Sequence, residues 1–124
     1  MKKIINTSNA PAPIGPYSQA VSFNGMLFIS GQIAINPITG DLVLDDIETE
    51  SHQVMKNLQA ILEEAGLGFD NVIKTSIFLK SMEDFAKVNG VYGSYFSGDF
   101  PARETVEVCV LPKDVNVEIS MIAG

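Results

Sequence analysis

Apolar and polar positions alternate or recur at helical spacing in the order strand, strand, helix, strand, helix, strand, strand. Val21-Ser22-Phe23 and Met26-Leu27-Phe28-Ile29-Ser30 flank Asn24-Gly25, a pair suited to a tight hairpin in which both turn residues take positive φ. Pro37-Ile38-Thr39-Gly40-Asp41 marks a second turn. Asp45 or Asp46 can cap a helix running to about Ala65, with Val54, Leu58, Ile61, Leu62 and Ala65 on one stripe and Gly66 just past its end. Ile73, Thr75, Ile77 and Leu79 alternate with Lys74, Ser76, Phe78 and Lys80, which predicts a strand. Ser81-Met82-Glu83-Asp84 resembles a capping box, and Phe85, Val88, Tyr92, Tyr95 and Phe96 supply a second helical stripe. Gly90 and Gly93 lower the helix propensity there.

The last two strands read as a hairpin around Pro112-Lys113-Asp114. Val106, Val108 and Val110 share one face of the first strand; Val117, Ile119 and Met121 share one face of the second. The register that keeps both apolar sets together pairs Val108 with Ile119 and Cys109 with Glu118. The opposite face then carries Thr105, Glu107, Cys109, Glu118 and Ser120, with Arg103 at its edge, and also Phe78 and Ile122. Two helices cover only one face of such a sheet. The mixed second face is expected to pack against another subunit, the alternative being a plainly solvated antiparallel face. The expected architecture is α+β, a mixed sheet with both helices on one side. Ala10-Pro11-Ala12-Pro13-Ile14-Gly15-Pro16 reads as an ordered loop rather than a linker, so residues 1–124 are expected to form one domain.

Composition narrows the function. At 124 residues and 46% hydrophobic content, the chain can bury a core without staples. One cysteine permits no internal disulfide, and Met1-Lys2-Lys3 leads into only Ile4 and Ile5, far short of a signal-peptide core. A cytoplasmic protein is expected, with no membrane partner. The net charge of −7 and scattered lysines argue against nucleic acid.

Arg103 is the one arginine, placed at the mouth of a strand just after Pro101-Ala102. Its rigid fork of donors matches a carboxylate, so it reads either as an anion clamp or as a surface partner of Glu104 or Glu107. Glu118 lies within the alternation Val117-Glu118-Ile119. It is either an outward polar residue or, beneath a covering subunit, a partly dry carboxylate suited to general base work. Cys109 lacks an activating neighbour and reads as a small, inert, partly buried thiol; His52 lies off the helical stripe. One His and one Cys give zinc no ligand set, and neither a phosphate-binding loop nor a Gly-x-Ser-x-Gly elbow occurs. Any chemistry is expected to use no cofactor and no metal.

Several stretches together are similar to one family. Ile14-Gly15-Pro16-Tyr17-Ser18-Gln19-Ala20, Ile29-Ser30-Gly31-Gln32-Ile33 and Asn36-Pro37-Ile38-Thr39-Gly40 are followed by Phe85-Ala86-Lys87-Val88-Asn89. Pro101-Ala102-Arg103, Val106-Glu107-Val108, Leu111-Pro112-Lys113 and Val117-Glu118-Ile119 complete the set. In these motifs the chain resembles the RidA/YjgF family along essentially its whole length. The resemblance implies a chorismate-mutase-like α+β fold assembled as a homotrimer with clefts between subunits. It also implies cofactor-free hydrolysis of reactive enamines and imines, released by pyridoxal-phosphate-dependent dehydratases, to 2-keto acids and ammonia. By position, Arg103 would hold the substrate carboxylate and Glu118 would position or deprotonate water. Tyr17 would close the cleft, Ser30, Gly31 and Asn89 would line it, and the backbone around Thr105 would contact the ligand. Position 105 often carries Cys in that family, Ser120 replaces a frequent acidic residue, and Glu104 stands where a small hydroxyl residue is usual. A second reading of the same cleft is a non-catalytic trimer that senses 2-keto acids. A third is the RNA cleavage attached to some relatives, which the acidic balance disfavours.

Overall fold

A computed structural model describes residues 1–124. Six strands form one sheet in the order β1-β2-β3-β6-β4-β5. They are β1 (Lys3–Ile5), β2 (Ala20–Phe23), β3 (Met26–Gln32), β4 (Val72–Leu79), β5 (Ala102–Glu107) and β6 (Val117–Ala123). Helices α1 (Ile47–Glu64) and α2 (Phe85–Gly93) pack on one face. Every pairing is antiparallel except β4 with β5, which α2 connects as a crossover. The fold is α+β with a mixed sheet, as expected.

Local signals explain most of the elements. Asn24 and Gly25 both take positive φ, 52° and 76°, and close the β2–β3 hairpin. Asp46 caps α1 by accepting from the Thr49 N–H at 2.7 Å, and that bond holds its carboxyl below the usual range. Gly66, with φ 76°, ends the helix: its N–H donates to Glu63 O and that of Leu67 to Leu62 O, at 2.9 and 2.8 Å. Val54, Met55, Leu58, Ile61 and Leu62 of α1 and Val88 and Tyr92 of α2 bury against Ile77, Leu79, Val117, Ile119 and Met121. That apolar burial holds the helices to the sheet.

The C-terminal hairpin does not form, and Val108 does not meet Ile119. β5 is an edge strand parallel to β4, with Arg103 beside Thr75 and Thr105 beside Ile77. β6 instead lies between β3 and β4, with Ile119 beside both Gln32 and Ile77. Its residues alternate between buried and half-buried, so neither face is simply solvated, whereas β5 is mostly exposed as an edge is. Val108 sits past the end of β5, its N–H bonded to Leu79 O at 2.9 Å. Arg103 and Thr105 therefore share the helix-side face, while Glu118 and Ser120 lie on the other with Phe78 and Ile122. The open face is nonetheless mixed, as anticipated, with Phe28 and Val106 also 45% and 42% exposed.

Smaller differences have local causes. A register shift between Val72 and Lys74 turns Ile73 outward, 48% exposed, and buries Val72 in its place. Cys109 is exposed, because the chain has left the sheet before it. Ser81 caps a single 3-10 turn, Met82–Asp84, and α2 starts only at Phe85. Tyr95 and Phe96 follow the end of α2 but still pack on the core beside Phe69. β1, which the sequence pattern does not announce, adds Ile5 to that core.

Candidate active site

The helix-side edge of the sheet presents Arg103. Its guanidinium lies 5.2 Å from the Tyr92 ring centroid and 5.8 Å from that of Phe85, and Nη1 donates to Asn89 Oδ1 at 2.8 Å. Both carboxylates offered as surface partners are engaged elsewhere. Glu104 pairs with Lys74 at 3.0 Å and accepts from Ser76 Oγ, and Glu107 Oε1 accepts from the Met82 N–H at 2.7 Å. The Ser76 bond and then Lys74 hold the Glu104 carboxyl below the usual range. Arg103 makes no salt bridge. Tyr92 is anchored by donating to Thr75 Oγ1 at 3.0 Å. Burial pushes its phenol up, opposed by the Thr75 bond and the Arg103 charge, so the ring stays neutral beneath the cation. Asn89, Tyr92, Gly93, Phe100, Pro101 and Arg103 line an open recess. A free guanidinium above aromatic rings, with donors still unused, can receive an anion.

The opposite face presents Glu118 at the floor of a second recess, with Tyr17, Gly31, Gln32 and Pro112 in its walls. A bulge in β3 shapes it: Ile29 pairs with Met121 and Gln32 with Ile119, leaving Ser30 and Gly31 opposite Ser120. Gly31 lets the Glu118 side chain lie against the strand: a Cβ there would stand 2.8 Å from the Glu118 carboxyl carbon, so the carboxylate would have to move. Glu118 is half-buried, and burial raises its carboxyl above the usual range. Ser30 Oγ donates to Ser18 O at 2.6 Å. Tyr17, half exposed, accepts weakly from the Ile14 N–H at 3.4 Å.

The wall of this recess depends on a residue whose role sequence reasoning missed. Gln19 is buried, accepts from Thr7 N–H at 2.7 Å and donates to the carbonyls of Thr7, Ala10 and Pro11. Its amide replaces the ladder that the irregular segment lacks, which is why the proline-rich loop is ordered. A glutamine beside a loop without regular pairing was the available signal.

The predicted site residues thus fall into two groups within one chain. Tyr17, Gly31 and Glu118 share one recess, which Ser30 does not line although it precedes Gly31 in the β3 bulge, and Asn89 and Arg103 share the other. Thr105 lies on the Arg103 side, its Oγ1 buried without a hydrogen-bond partner. His52 is on the exposed side of α1, its Nδ1 bonded to the Tyr95 hydroxyl at 2.8 Å. No three His, Cys, Asp or Glu side chains converge. No helix is long and apolar enough to cross a membrane.

The family model described as Endoribonuclease L-PSP matches residues 7–124. A Rid-family protein of Yersinia pestis superposes with a TM-score of 0.97 at 54% identity, covering 100% of this chain and 99% of that one. This chain belongs to the Rid (YjgF/RidA) family. Among Rid relatives, the 2-iminobutanoate/2-iminopropanoate deaminase of Mus musculus is 46% identical over 123 residues, 99% of this chain and 91% of that protein. The crystal structure of Escherichia coli TdcF with bound serine matches with a TM-score of 0.94 at 41% identity, covering 98% of this chain and 97% of that one.

Proposed function

We propose that the chain acts as a homotrimer that hydrolyses 2-iminobutanoate, 2-iminopropanoate and their enamine tautomers to 2-keto acids and ammonia. The observation carrying this reading is the Arg103 guanidinium, half-buried over two aromatic rings and free of any carboxylate. An unused fork in such a place suits a substrate carboxylate. Arg103 and Glu118 occupy opposite faces of the sheet, so they meet at one ligand only across a seam between copies. One copy supplies Arg103, Asn89 and the Thr105 backbone; the next supplies Tyr17, Ser30, Gly31 and Glu118. The exposed Phe28 and Val106 on the open face support such association.

In this arrangement the carboxylate is fixed by Arg103, and a water rests on Glu118. The water oxygen attacks the carbon of the protonated imine while Glu118 accepts a water proton, giving a neutral carbinolamine. Glu118 passes that proton to nitrogen, and the C–N bond then breaks as the hydroxyl proton goes back to Glu118, so ammonia and the keto acid leave and Glu118 releases its proton to solvent. Water supplies the one new oxygen and no redox change occurs, so the balance requires no cofactor. The reaction recorded in the mouse relative's name, and the carboxylate-bearing serine in TdcF, support the substrate class.

A second reading, a trimer that binds 2-keto acids without turnover, is favoured by the bound serine of TdcF alone. Mixing the protein with a threonine dehydratase and threonine separates the two. Keto-acid release should be faster than with buffer. No acceleration sinks the catalytic reading, and saturable keto-acid binding without it selects the sensor.

A further inference from the structure

Glu50 lies one turn into α1 and is 0% exposed, yet it takes no part in the chemistry above. Its Oε2 accepts from the backbone N–H groups of Asn116 and Val117 at 2.8 and 3.3 Å, and its Oε1 accepts from Asn116 Nδ2 at 2.7 Å. A buried carboxylate is tolerated only when so bonded. The same bonds fix the two residues that lead directly into Glu118. The Asn116 carbonyl is held in turn by the Lys80 N–H at 3.0 Å. Ahead of these anchors the chain runs through Lys113 and Asp114, both in the left-handed region with φ 56° and 55°.

We infer that Glu50 is a positioning residue: through Asn116 and Val117 it sets where β6 begins and thereby the seat of the Glu118 carboxylate against Gly31. The tolerance at that seat is small. The Glu118 carboxyl carbon lies 2.8 Å from where a Cβ of residue 31 would stand. A displacement of about 1 Å in a reacting group can cost on the order of 10²-fold in rate. The inference rests on the proposed role of Glu118, so its test must read the carboxyl itself and not only turnover. Within one copy, Tyr17 is the one other titratable side chain lining the Glu118 recess, and Gly31, Gln32, Phe78 and Pro112, which face it from β3, β4 and the 112–114 turn, carry no charge. In the proposed trimer the Arg103 guanidinium of the next copy also faces it, and its pull on the carboxyl is common to the parent and every Glu50 variant.

The experiment is a 13C NMR titration of the Glu118 carboxyl in the full chain, assigned by loss of its signal in Glu118→Gln. In the parent, burial should hold its midpoint above that of an ordinary glutamate, against the opposing pull of the next copy's Arg103. In Glu50→Ala the start of β6 loosens, water reaches the carboxylate, and the midpoint falls toward the ordinary value. Glu50→Gln should keep the parent midpoint: its carbonyl can accept both backbone N–H groups while its amide donates to a reoriented Asn116 Oδ1. Should Glu50→Ala not fold, Glu50→Asp keeps the charge but draws the carboxylate back from the Asn116 and Val117 N–H groups, and it should lower the midpoint in the same direction.

A midpoint unmoved in Glu50→Ala, with only the melting temperature reduced, overturns the inference, as does a Glu50→Gln that behaves like alanine. In kinetics the acid limb should move to lower pH in Glu50→Ala, with kcat down about 10-fold. Fewer folded molecules would scale the profile without moving it. If the parent shows no turnover yet the NMR shifts occur, the deaminase reading fails and the positioning role stands.

Discussion

Arg103 and Glu118 carry opposite charges on opposite faces of one sheet, and they are held by different means. Arg103 is placed by side chains: two rings beneath it, an amide at its tip, and two nearby carboxylates occupied by Lys74, Ser76 and Met82. Glu118 is placed by backbone: a bulge at Ser30–Gly31, a missing Cβ and the pinned start of β6. A cation on a long stem can be guided by partners that themselves move. A short carboxylate in a half-dry recess depends on where its strand lies. The Arg103 side should therefore respond to side-chain truncation mainly in binding, and the Glu118 side to backbone crowding mainly in rate.

The sharpest break is Arg103→Ala, which should lower kcat/KM for imine hydrolysis on the order of 10³-fold, with the lysine variant only partly restoring it. A loss below about 10-fold in stopped-flow assays would show that the guanidinium is not the carboxylate seat.

Glu118→Gln should lower kcat by about 10²-fold and remove the acid limb of the pH profile, because the base form is lost as pH falls through a raised carboxyl midpoint. Stability should move the other way. A carboxyl raised on folding favours the native state below its unfolded value and loses that contribution as pH rises through the folded one. The glutamine variant should thus melt higher than the parent at pH 7 and equal to it near pH 4. Equal melting at both would mean that Glu118 is not desolvated.

Gly31→Ala comes next, with kcat about 10-fold lower and a nearly unchanged melting temperature, since the atoms in its way belong to the flexible end of Glu118. A large fall in melting temperature would show that backbone, not the carboxylate, takes the strain. Asn89→Ala should raise KM several-fold with little change in kcat, matching the roughly 1.5–3 kcal/mol of a hydrogen bond to a charged group less what water restores. Cys109→Ala should change neither constant by more than about two-fold, as an exposed thiol outside both recesses.

Much of this was legible in the chain. Asn24-Gly25, Asp46 and Gly66 each specify a local conformation, and the structure has each where those rules put it. The apolar stripes chose the face each helix buries. Strand order was not legible, because alternation tells which side a residue faces and never which strand lies beside it. The β6 pattern suits a hairpin or a central strand equally, and only pairing on both sides decides. The same ambiguity put Arg103 and Glu118 on one face. Their residue types were readable, and the bulge that turns Gly31 toward Glu118 was not, since a lone glycine in a strand has several explanations. Glu50 was invisible for another reason: helical spacing marks apolar stripes, and a buried carboxylate shows itself only through donors 66 and 67 residues away.

β6 is the last strand in chain order and stands in the middle of the sheet. Until residues 117–123 leave the ribosome, β3 and β4 each expose a full unpaired ladder, and the core lacks its central wall. A nascent chain at that stage offers two sticky borders to any neighbour, including another unfinished copy. Stop codons or proteolytic nicks just before Val117 should therefore give aggregates rather than a shortened but soluble product.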